Sequence, residues 1–227
     1  MRSIMLELGA KFLISYLIGS IMGSMVVGRL RGGVDIREMG SGNAGGTNAL
    51  RTQGLAFAIG VVIIDIGKGV IGAGVVPGLE LPMIPADPEI SREWLVLSCS
   101  AAAVIGHVWP VYHHFRGGKG AATFVGTLII LSPKLILPLL LVWAWVLVTT
   151  GYVGLSTMIA AVALPVWLAV TTLPEQEPLF IYTTLMALYI IYCHRSNIQR
   201  MRSGTELRNE RLMLFRRRSG NGPDDAT

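Results

Sequence analysis

Charge is scarce in this chain. Asp, Glu, Lys and Arg together make up 15% of its 227 residues, against about 25% in an ordinary soluble domain. Hydrophobic residues make up 52%, and they gather in runs of about 20 residues, the length that a helix needs to cross the hydrocarbon core of a bilayer. The lack of charge excludes an ordinary water-soluble fold. We predict an all-α integral membrane protein with little room for a separate soluble domain.

Cysteine is scarce too. Cys99 and Cys193 both fall inside apolar runs and lack the spacing of zinc ligands, which predicts two small core residues and no disulfide. His107, His113 and His114 lie close together in the sequence, but they have no acidic residue or cysteine beside them. We therefore predict no metal site, and we expect a structural or hydrogen-bonding role for His107.

The N-terminus lacks the features of a cleaved signal peptide. Glu7 and Lys11 interrupt its apolar run, and no small-x-small cleavage site follows, so we expect a retained first helix. Residues 1–218 are predicted to form a single membrane domain, and residues 219–227 a disordered tail.

Seven apolar runs are candidate membrane spans, at residues 4–27, 55–77, 94–112, 121–132, 134–149, 152–171 and 179–193. Only Ser132-Pro133-Lys134 separates the fourth run from the fifth, so Pro133 marks either a turn between two short or tilted helices or a kink within one. With seven spans, most of the nineteen Lys and Arg residues fall on one side. The positive-inside rule then places the N-terminus outside and the C-terminus in the cytoplasm.

Three polar segments, two of them rich in glycine, lie at ends of apolar runs. They are Gly40–Asn48, Arg116–Gly120 and His194–Asn197. Glycine leaves backbone amides accessible, and flanking Arg and Lys add positive charge, which together suit a phosphate group. All three segments fall on the predicted cytoplasmic side, so we expect one shared anion site there.

The first segment is a polar loop. Its glycines fit the dinucleotide-binding pattern G-x-G-x-x-G, but that pattern requires a preceding β-strand, and here a membrane helix precedes it. We therefore reject a dinucleotide site. The loop could instead surround an anion, or be a flexible surface loop that caps the second helix. The candidate anion ligands are Ser41, Asn43, Thr47, Asn48 and Arg51.

The second segment leads directly into the fourth helix. It is not a Walker A loop, because it lacks the upstream glycine and Gly120 replaces the required Ser or Thr. The helix N-terminus would add partial positive charge to Lys119, and Arg116 offers a planar guanidinium. Anchoring by Arg116 and Lys119 at a membrane surface is the alternative, but anchoring needs no glycines, so the glycines favour an anion site.

The third segment places His194 and Asn197 at helical spacing, so both lie on one helix face. This pairs a candidate proton carrier with an amide. Glu206 is expected to bind a basic loop residue or cap a turn. Attraction to anionic lipid head groups explains the more distal arginines, which are Arg208, Arg211 and Arg216 to Arg218.

Asp65 and Lys68 are charged residues inside the second apolar run, three positions apart on one face. A charge near the bilayer centre costs about 2.5–3.5 kcal/mol on insertion scales. We therefore expect the two to pair with each other or to face the site.

Taken together, these segments resemble the three cytoplasmic motifs of the bacterial acyl-phosphate:glycerol-3-phosphate acyltransferase family. The resemblance covers nearly the whole chain, including the order of the spans and the Asp65-x-x-Lys68-Gly69 element. It implies transfer of a fatty acyl group from acyl phosphate to the sn-1 hydroxyl of glycerol 3-phosphate. The products are 1-acyl-glycerol 3-phosphate (lysophosphatidic acid) and phosphate, in the first acylation step of phospholipid synthesis.

The resemblance also implies a setting. It predicts a multi-pass protein of the bacterial inner (plasma) membrane, with its active site facing the cytoplasm. The partners would be acyl phosphate, glycerol 3-phosphate and membrane lipid, with no nucleic acid, no cofactor and no metal.

Carried over to matching positions, the resemblance assigns residue roles. The catalytic residues would be His194, Lys119 and Ser41, and Glu206, Asp65 and Lys68 would give structural support. Direct transfer without an acyl-enzyme is expected, because no Ser-His-Asp arrangement can be assigned. Either a substrate phosphate or His194 would take the hydroxyl proton. Substrate and phosphate binding would fall to Arg51, Gly40, Gly42, Asn43, Thr47, Asn48, Gly117, Gly118, Gly120 and Asn197.

The chain departs from the family pattern in the turn after the fifth run. It reads Gly151-Tyr152-Val153-Gly154-Leu155, where the family tends to have Arg-Tyr-Val-Ser-Leu, and so lacks an arginine and a serine beside the expected phosphate site. Met22 stands where the family commonly has proline, and Gly46 where it usually has alanine. A diverged paralogue with low activity is therefore an alternative. Others are a membrane carrier of a phosphorylated metabolite and a non-catalytic lipid-binding scaffold.

Overall fold

The computed structural model describes residues 2–214, which form ten α-helices joined by loops and 3₁₀ turns. An isolated bridge between Leu81 and Ile84 is the one β pairing in that range. The all-α fold class is thus confirmed. The helices are α1 (Arg2–Gly19), α2 (Gly23–Leu30), α3 (Gly46–Gln53), α4 (Leu55–Gly74), α5 (Arg92–Val108), α6 (Ala121–Leu131), α7 (Ile136–Thr150), α8 (Val153–Thr171), α9 (Glu177–Cys193) and α10 (Arg195–Arg202). The expectations for the tail at 219–227, for Arg216 to Arg218 and for the side chain of Arg211 fall outside the described residues.

The composition of the first apolar run predicts one continuous helix. The structure instead has two helices, which are bent by 41° between Gly19 and Gly23. The bend leaves backbone groups without helical partners, and lipid offers none. The buried pair on α4 satisfies two of them. Lys68 Nζ donates to the Ile21 carbonyl at 2.7 Å, and Asp65 Oδ1 accepts from the Gly23 amide at 3.2 Å.

Asp65 and Lys68 also pair with each other, with 3.0 Å between Oδ1 and Nζ. The pairing expected from their spacing is therefore confirmed. The same two side chains hold the break between α1 and α2, which gives two charges inside an apolar helix a structural reason to be there.

The apolar block at 121–149 is two helices. α6 ends at Leu131, Ser132 takes an extended conformation with φ −162°, and a 3₁₀ turn at Pro133–Leu135 leads into α7. A turn, rather than a kink within one helix, therefore separates the fourth and fifth runs.

Several helices suit a membrane. Four of the described helical segments are long and apolar enough to cross it, at Leu55–Gly78, Arg92–His113, Pro133–Thr150 and Val153–Thr171. The bent pair of α1 and α2 makes a fifth candidate, and α6 and α9 are shorter apolar helices. These segments match the seven apolar runs one for one. The number of crossings and the orientation of the termini stay predictions.

Close helix crossings hold the bundle together. α1 packs against α5, and α4 against α6. At each crossing a glycine lets the backbones approach: a Cβ on Gly19 would overlap the Ala103 carbonyl, and a Cβ on Gly69 would overlap the Thr123 carbonyl. Small residues serve this purpose where lipid supplies no hydrophobic driving force between helices.

The main core is formed by residues of helices α5 to α9, among them Phe124, Leu128, Leu164 and Ile190. Both cysteines are free and buried, and Cys99 belongs to a second core cluster beside α1. Their prediction as small core residues without a disulfide is confirmed.

Candidate active site

One cavity of about 550 Å³ collects residues from all three polar segments. Its polar lining includes most of the residues singled out from the sequence, which are Ser41, Asn43, Thr47, Asn48, Arg51, Asp65, Lys119, Gly120, His194, Asn197 and Glu206. The other predicted residues shape the structure behind this lining, namely Gly40, Gly42, Gly117, Gly118 and Lys68. Within residues 2–214, no group of three or more His, Cys, Asp and Glu could hold a metal ion.

The first segment is folded around the side chain of Asn48, which is almost fully buried. Its Nδ2 donates to the carbonyls of Ile36 at 2.8 Å and Met39 at 3.0 Å, and its Oδ1 accepts from the Ser41 amide at 3.0 Å. Gly40 has φ +57°, and a Cβ there would overlap Asn48 Oδ1. Asn48 therefore fixes the loop that presents Ser41 to the cavity.

The second segment rests on His107. The Gly118 amide donates to the His107 carbonyl at 3.1 Å, and a Cβ on Gly118 would overlap His107 Nε2. His107 Nδ1 in turn lies 3.4 Å from Asp65 Oδ1. These contacts place Lys119, one residue later, at the cavity wall. The structural role expected for His107 is confirmed, and His107 also lines the cavity.

Arg37 joins the first two segments and was not singled out from the sequence. Its guanidinium pairs with Asp35 at 2.6 Å, and its Nη1 donates to the Arg116 carbonyl at 3.2 Å and the His113 carbonyl at 3.4 Å. The two loops are separated by almost eighty residues in sequence, so sequence spacing gives no sign of this connection.

The third segment holds Lys119 through a chain of hydrogen bonds. Lys119 Nζ donates to Asn197 Oδ1, and Asn197 Nδ2 donates to Glu206 Oε1 at 2.7 Å. Arg200 Nε donates to Glu206 Oε2 at 2.6 Å. The carboxylate accepts only, so it fixes the amide with its oxygen toward the lysine. Glu206 was expected to bind a basic loop residue or to cap a turn; the basic residue that it binds, Arg200, lies on α10.

His194 occupies the junction between α9 and α10, with its Nδ1 2.8 Å from the Ile190 carbonyl. Burial, and then the positive charge of Lys119, lower the pKa of His194 to about 4. The imidazole is therefore neutral at neutral pH. Because a carbonyl only accepts, Nδ1 carries the proton and Nε2 keeps its lone pair.

Lys119 is partly buried at the cavity wall. Burial, followed by the nearby Arg200 guanidinium, lowers the pKa of Lys119 to about 8. At neutral pH the lysine remains mostly charged. A cation with little water around it binds an anion more strongly than a solvated one.

The glycines at 151 and 154 each make room for another residue. A Cβ on Gly154 would lie 2.9 Å from Asn197 Nδ2, so a side chain there would displace the amide that holds Lys119. Gly151 ends α7 with φ +75°, and a Cβ there would lie 2.9 Å from Met213 Sδ.

The polar cavity continues into an apolar groove. Trp143, Thr157, Ala121 and Ala122 line both the cavity and an adjoining space of about 200 Å³. The groove is otherwise enclosed by Phe124, Val125, Leu139, Leu140, Ala160, Ala161 and Ile190. The site thus combines a cationic, hydrogen-bonding part with a hydrocarbon-lined part.

The chain is similar to known proteins. A family model described as glycerol-3-phosphate acyltransferase matches residues 10–204. A curated protein of that name from Chlorobaculum parvum is 39% identical over 95% of this chain and its own full length. Another from Bacillus cereus is 41% identical over 86% of this chain and 91% of its own.

Solved structures agree. Two crystal structures of an integral membrane glycerol 3-phosphate acyltransferase, one in its glycerol 3-phosphate form and one in its lysophosphatidic acid form, superpose with a TM-score of 0.73. Each is 30% identical and covers 88% of this chain and 94% of its own. The resemblance drawn from the three polar segments is confirmed: the chain belongs to the glycerol-3-phosphate acyltransferase family of integral membrane proteins.

Proposed function

We propose that this protein transfers a fatty acyl group from acyl phosphate to the sn-1 hydroxyl of glycerol 3-phosphate. The products are 1-acyl-glycerol 3-phosphate (lysophosphatidic acid) and inorganic phosphate. The observation that carries the proposal is that the cavity, which has three cations in its wall, adjoins the apolar groove. Family membership and the solved relative, crystallised with glycerol 3-phosphate and with lysophosphatidic acid, support it.

An acyl phosphate suits this site better than a bulkier donor. The molecule is a mixed anhydride and is already activated, so the site has mainly to hold two phosphates close together and align one hydroxyl. Arg51, Lys119 and Arg200 all line the cavity and supply positive charge for the two phosphates. The acyl tail fits the apolar groove beside Trp143.

The reaction is a direct transfer. The sn-1 oxygen attacks the acyl carbonyl carbon and forms the new ester bond, and the bond from that carbon to the phosphate oxygen breaks, so that phosphate leaves with its electron pair. Among the described residues, no hydrogen bond joins Ser41 to a histidine that could activate it as a nucleophile. Ser41 acts instead as a phosphate ligand. The reaction therefore proceeds without an acyl-enzyme.

The hydroxyl proton goes to a substrate phosphate oxygen. A phosphate monoester has a second pKa of about 6, whereas burial holds the pKa of His194 at about 4. The phosphate is thus the stronger base by about two pKa units. His194 Nε2 accepts a hydrogen bond from the hydroxyl and orients it toward the carbonyl carbon.

The test is a transfer assay on purified protein in detergent or a lipidic mesophase. Palmitoyl phosphate and glycerol 3-phosphate are supplied, and both phosphate release and lysophosphatidic acid are measured. The proposal predicts equal amounts of the two products. Absence of lysophosphatidic acid from folded protein at high concentration would refute it. Replacing palmitoyl phosphate by palmitoyl-CoA in a parallel reaction tests the donor, and we expect no transfer from the thioester.

A His194 variant tests whether the imidazole orients the hydroxyl or acts as the general base. His194→Gln keeps a hydrogen-bonding side chain but removes the imidazole. If His194 orients the hydroxyl and phosphate takes the proton, the variant keeps part of the activity, and the lower limb of the pH profile stays near the phosphate pKa. If the imidazole is the base, activity disappears in the variant.

A further inference from the structure

The chain does not leave the site after α10 but folds back across it. Residues 205–214, which we call the C-terminal strap, follow the turn at Gly204 and include a 3₁₀ turn at Glu210–Leu212. Asn209 and Leu212 of this strap line the cavity. Glu206, the strap residue that the third segment already assigns, lines it as well. The strap lies beyond residues 10–204, the range of the family model, and neither that model nor the polar segments assign a role to Asn209 or Leu212.

The strap is tied to both sides of the cavity. On the side of the first segment, Arg51 Nη2 donates to the Leu207 carbonyl at 3.4 Å. On the side of the turn between α7 and α8, the Asn209 amide donates to the Gly151 carbonyl at 2.8 Å, and the Leu214 amide donates to the Val148 carbonyl at 2.9 Å. The strap is therefore bonded both to α3 and to the region where α7 meets α8, and both of these line the cavity.

Arg208 adds a side-chain anchor on the second wall. Its Nε donates to the Tyr152 hydroxyl at 2.7 Å, and its guanidinium lies 4.8 Å from the centre of the Tyr152 ring. The attraction to lipid expected from the sequence stays a prediction, and the structure adds a contact of Arg208 within the protein.

Gly151 makes this docking possible. A Cβ there would lie 2.9 Å from Met213 Sδ and 3.4 Å from Arg208 Cβ. The bare backbone of the turn is therefore the surface on which the strap rests. The position where the family pattern carries an arginine is covered here by a segment that brings an arginine of its own.

We propose that the C-terminal strap forms the water-facing wall of the active site, that Asn209 contacts the glycerol 3-phosphate head group, and that the strap keeps water from the acyl phosphate. The inference rests on the proposed function. Without the strap, a water oxygen attacks the acyl carbonyl carbon in place of the sn-1 oxygen. The bond to phosphate then breaks in the same way, and the products are fatty acid, phosphate and a proton.

Two variants separate closure from contact. Asn209→Pro removes the backbone N–H that donates to the Gly151 carbonyl and so loosens the strap. Asn209→Ala keeps this backbone N–H and removes only the side-chain amide. Arg208→Ala loosens the strap from the Tyr152 side. Arg202→Ala, at an exposed position on α10, is the matched control because it removes the same charge from the same end of the molecule.

The measured quantity is the ratio of fatty acid to lysophosphatidic acid formed from palmitoyl phosphate at saturating glycerol 3-phosphate. We expect Asn209→Pro and Arg208→Ala to raise this ratio severalfold, and Arg202→Ala to leave it unchanged. Asn209→Ala should raise the KM for glycerol 3-phosphate about tenfold, the factor that corresponds to about 1.4 kcal/mol. A wild-type ratio in Asn209→Pro, with an unchanged melting temperature, would overturn the closure.

A binding measurement keeps the strap testable apart from catalysis. Titration of glycerol 3-phosphate into wild-type protein and Asn209→Pro compares their affinities without a donor. Weaker binding in the variant supports the strap as a wall, and equal binding refutes it. If wild-type protein makes no lysophosphatidic acid, the proposed function fails, and this titration still decides the inference about the strap.

Discussion

Glu7 and Glu206 both have buried side chains that hold charged and polar partners, and only Glu206 lines the cavity. Glu7, near the start of α1, accepts from Lys11 at 2.8 Å, from Arg92 at 2.6 Å and from the Asp87 amide at 2.7 Å. Lys11 in turn donates to the Pro77 carbonyl at 2.7 Å. This cluster joins α1 to the loop before α5 and encloses no cavity that the polar segments share.

The cluster around Glu206 contains similar groups in a different arrangement. Glu206 holds Arg200 and Asn197, and Asn197 holds Lys119. Here the cation at the end of the chain of hydrogen bonds faces a cavity, and burial lowers its pKa to about 8. The comparison shows that charge bound to backbone and carboxylate stabilises the fold, whereas charge held beside an open space is available for a substrate.

Removal of Glu7 should have the largest effect, and it should act on stability alone. Glu7→Ala leaves the buried Lys11 without its carboxylate and removes the partner of the exposed Arg92. Breaking a buried ion pair from one side costs about 3–5 kcal/mol. We expect a clear fall in the melting temperature in detergent, with the KM of the remaining folded protein unchanged. Glu80→Ala removes an exposed acid from the same end and serves as the control. A raised KM in Glu7→Ala would place that cluster within the site.

Lys119→Ala should do the reverse. The variant removes a preorganised cation from the cavity, and losing one such group costs about 10²–10³-fold in turnover. The melting temperature should change little. Lys134→Ala, at an exposed lysine in the 3₁₀ turn before α7, should keep wild-type turnover. Full activity in Lys119→Ala would show that its role is wrong.

Gly154→Ala tests the hydrogen bonds that hold Lys119 without touching the lysine. The new methyl group would push against Asn197 Nδ2, and overpacking of this kind costs about 1–3 kcal/mol. We expect about a tenfold loss of kcat/KM. Gly67→Ala is the matched control, because Gly67 is also helical and a Cβ there meets no atom within 4 Å. Equal losses in both variants would point to a general helix effect.

The pH profile should give the smallest effect. The pKa of Lys119 is lowered to about 8, so the lysine is charged below that pH and loses its proton above it. Turnover should therefore fall as the pH rises through 8, by about tenfold one unit above the pKa. Lys119→Arg keeps the charge over this range, since a guanidinium does not titrate there. An unchanged fall in that variant would assign the alkaline limb to another group.

Much of this architecture could be predicted from the sequence. Long apolar runs are a local property of the chain, so α4 to α9 appear close to their expected limits. The convergence of the three polar segments followed from topology, because charge counts placed their loops on one side. Asn197 and His194 were found together because helical spacing is also local.

The parts that could not be predicted depend on distant partners. The bend between Gly19 and Gly23 is held by Asp65 and Lys68, more than forty residues later. Arg37 contacts a loop almost eighty residues away. The strap contains no apolar run that would predict its course, and the sequence suggests only a lipid contact for Arg208. The contact of Arg208 with Tyr152 depends on the position of the turn between α7 and α8, which lies more than fifty residues earlier in the sequence.

The bend between α1 and α2 also bears on the order in which the helices assemble in the membrane. A chain is made from its N-terminus, so residues 2–30 reach the membrane before Asp65 and Lys68 do. Until α4 arrives, lipid gives the Ile21 carbonyl and the Gly23 amide no partner, and a continuous helix is the form that satisfies them. The contacts that hold the two-helix form exist only in the assembled bundle, and we therefore expect the first run to bend when α4 packs beside it.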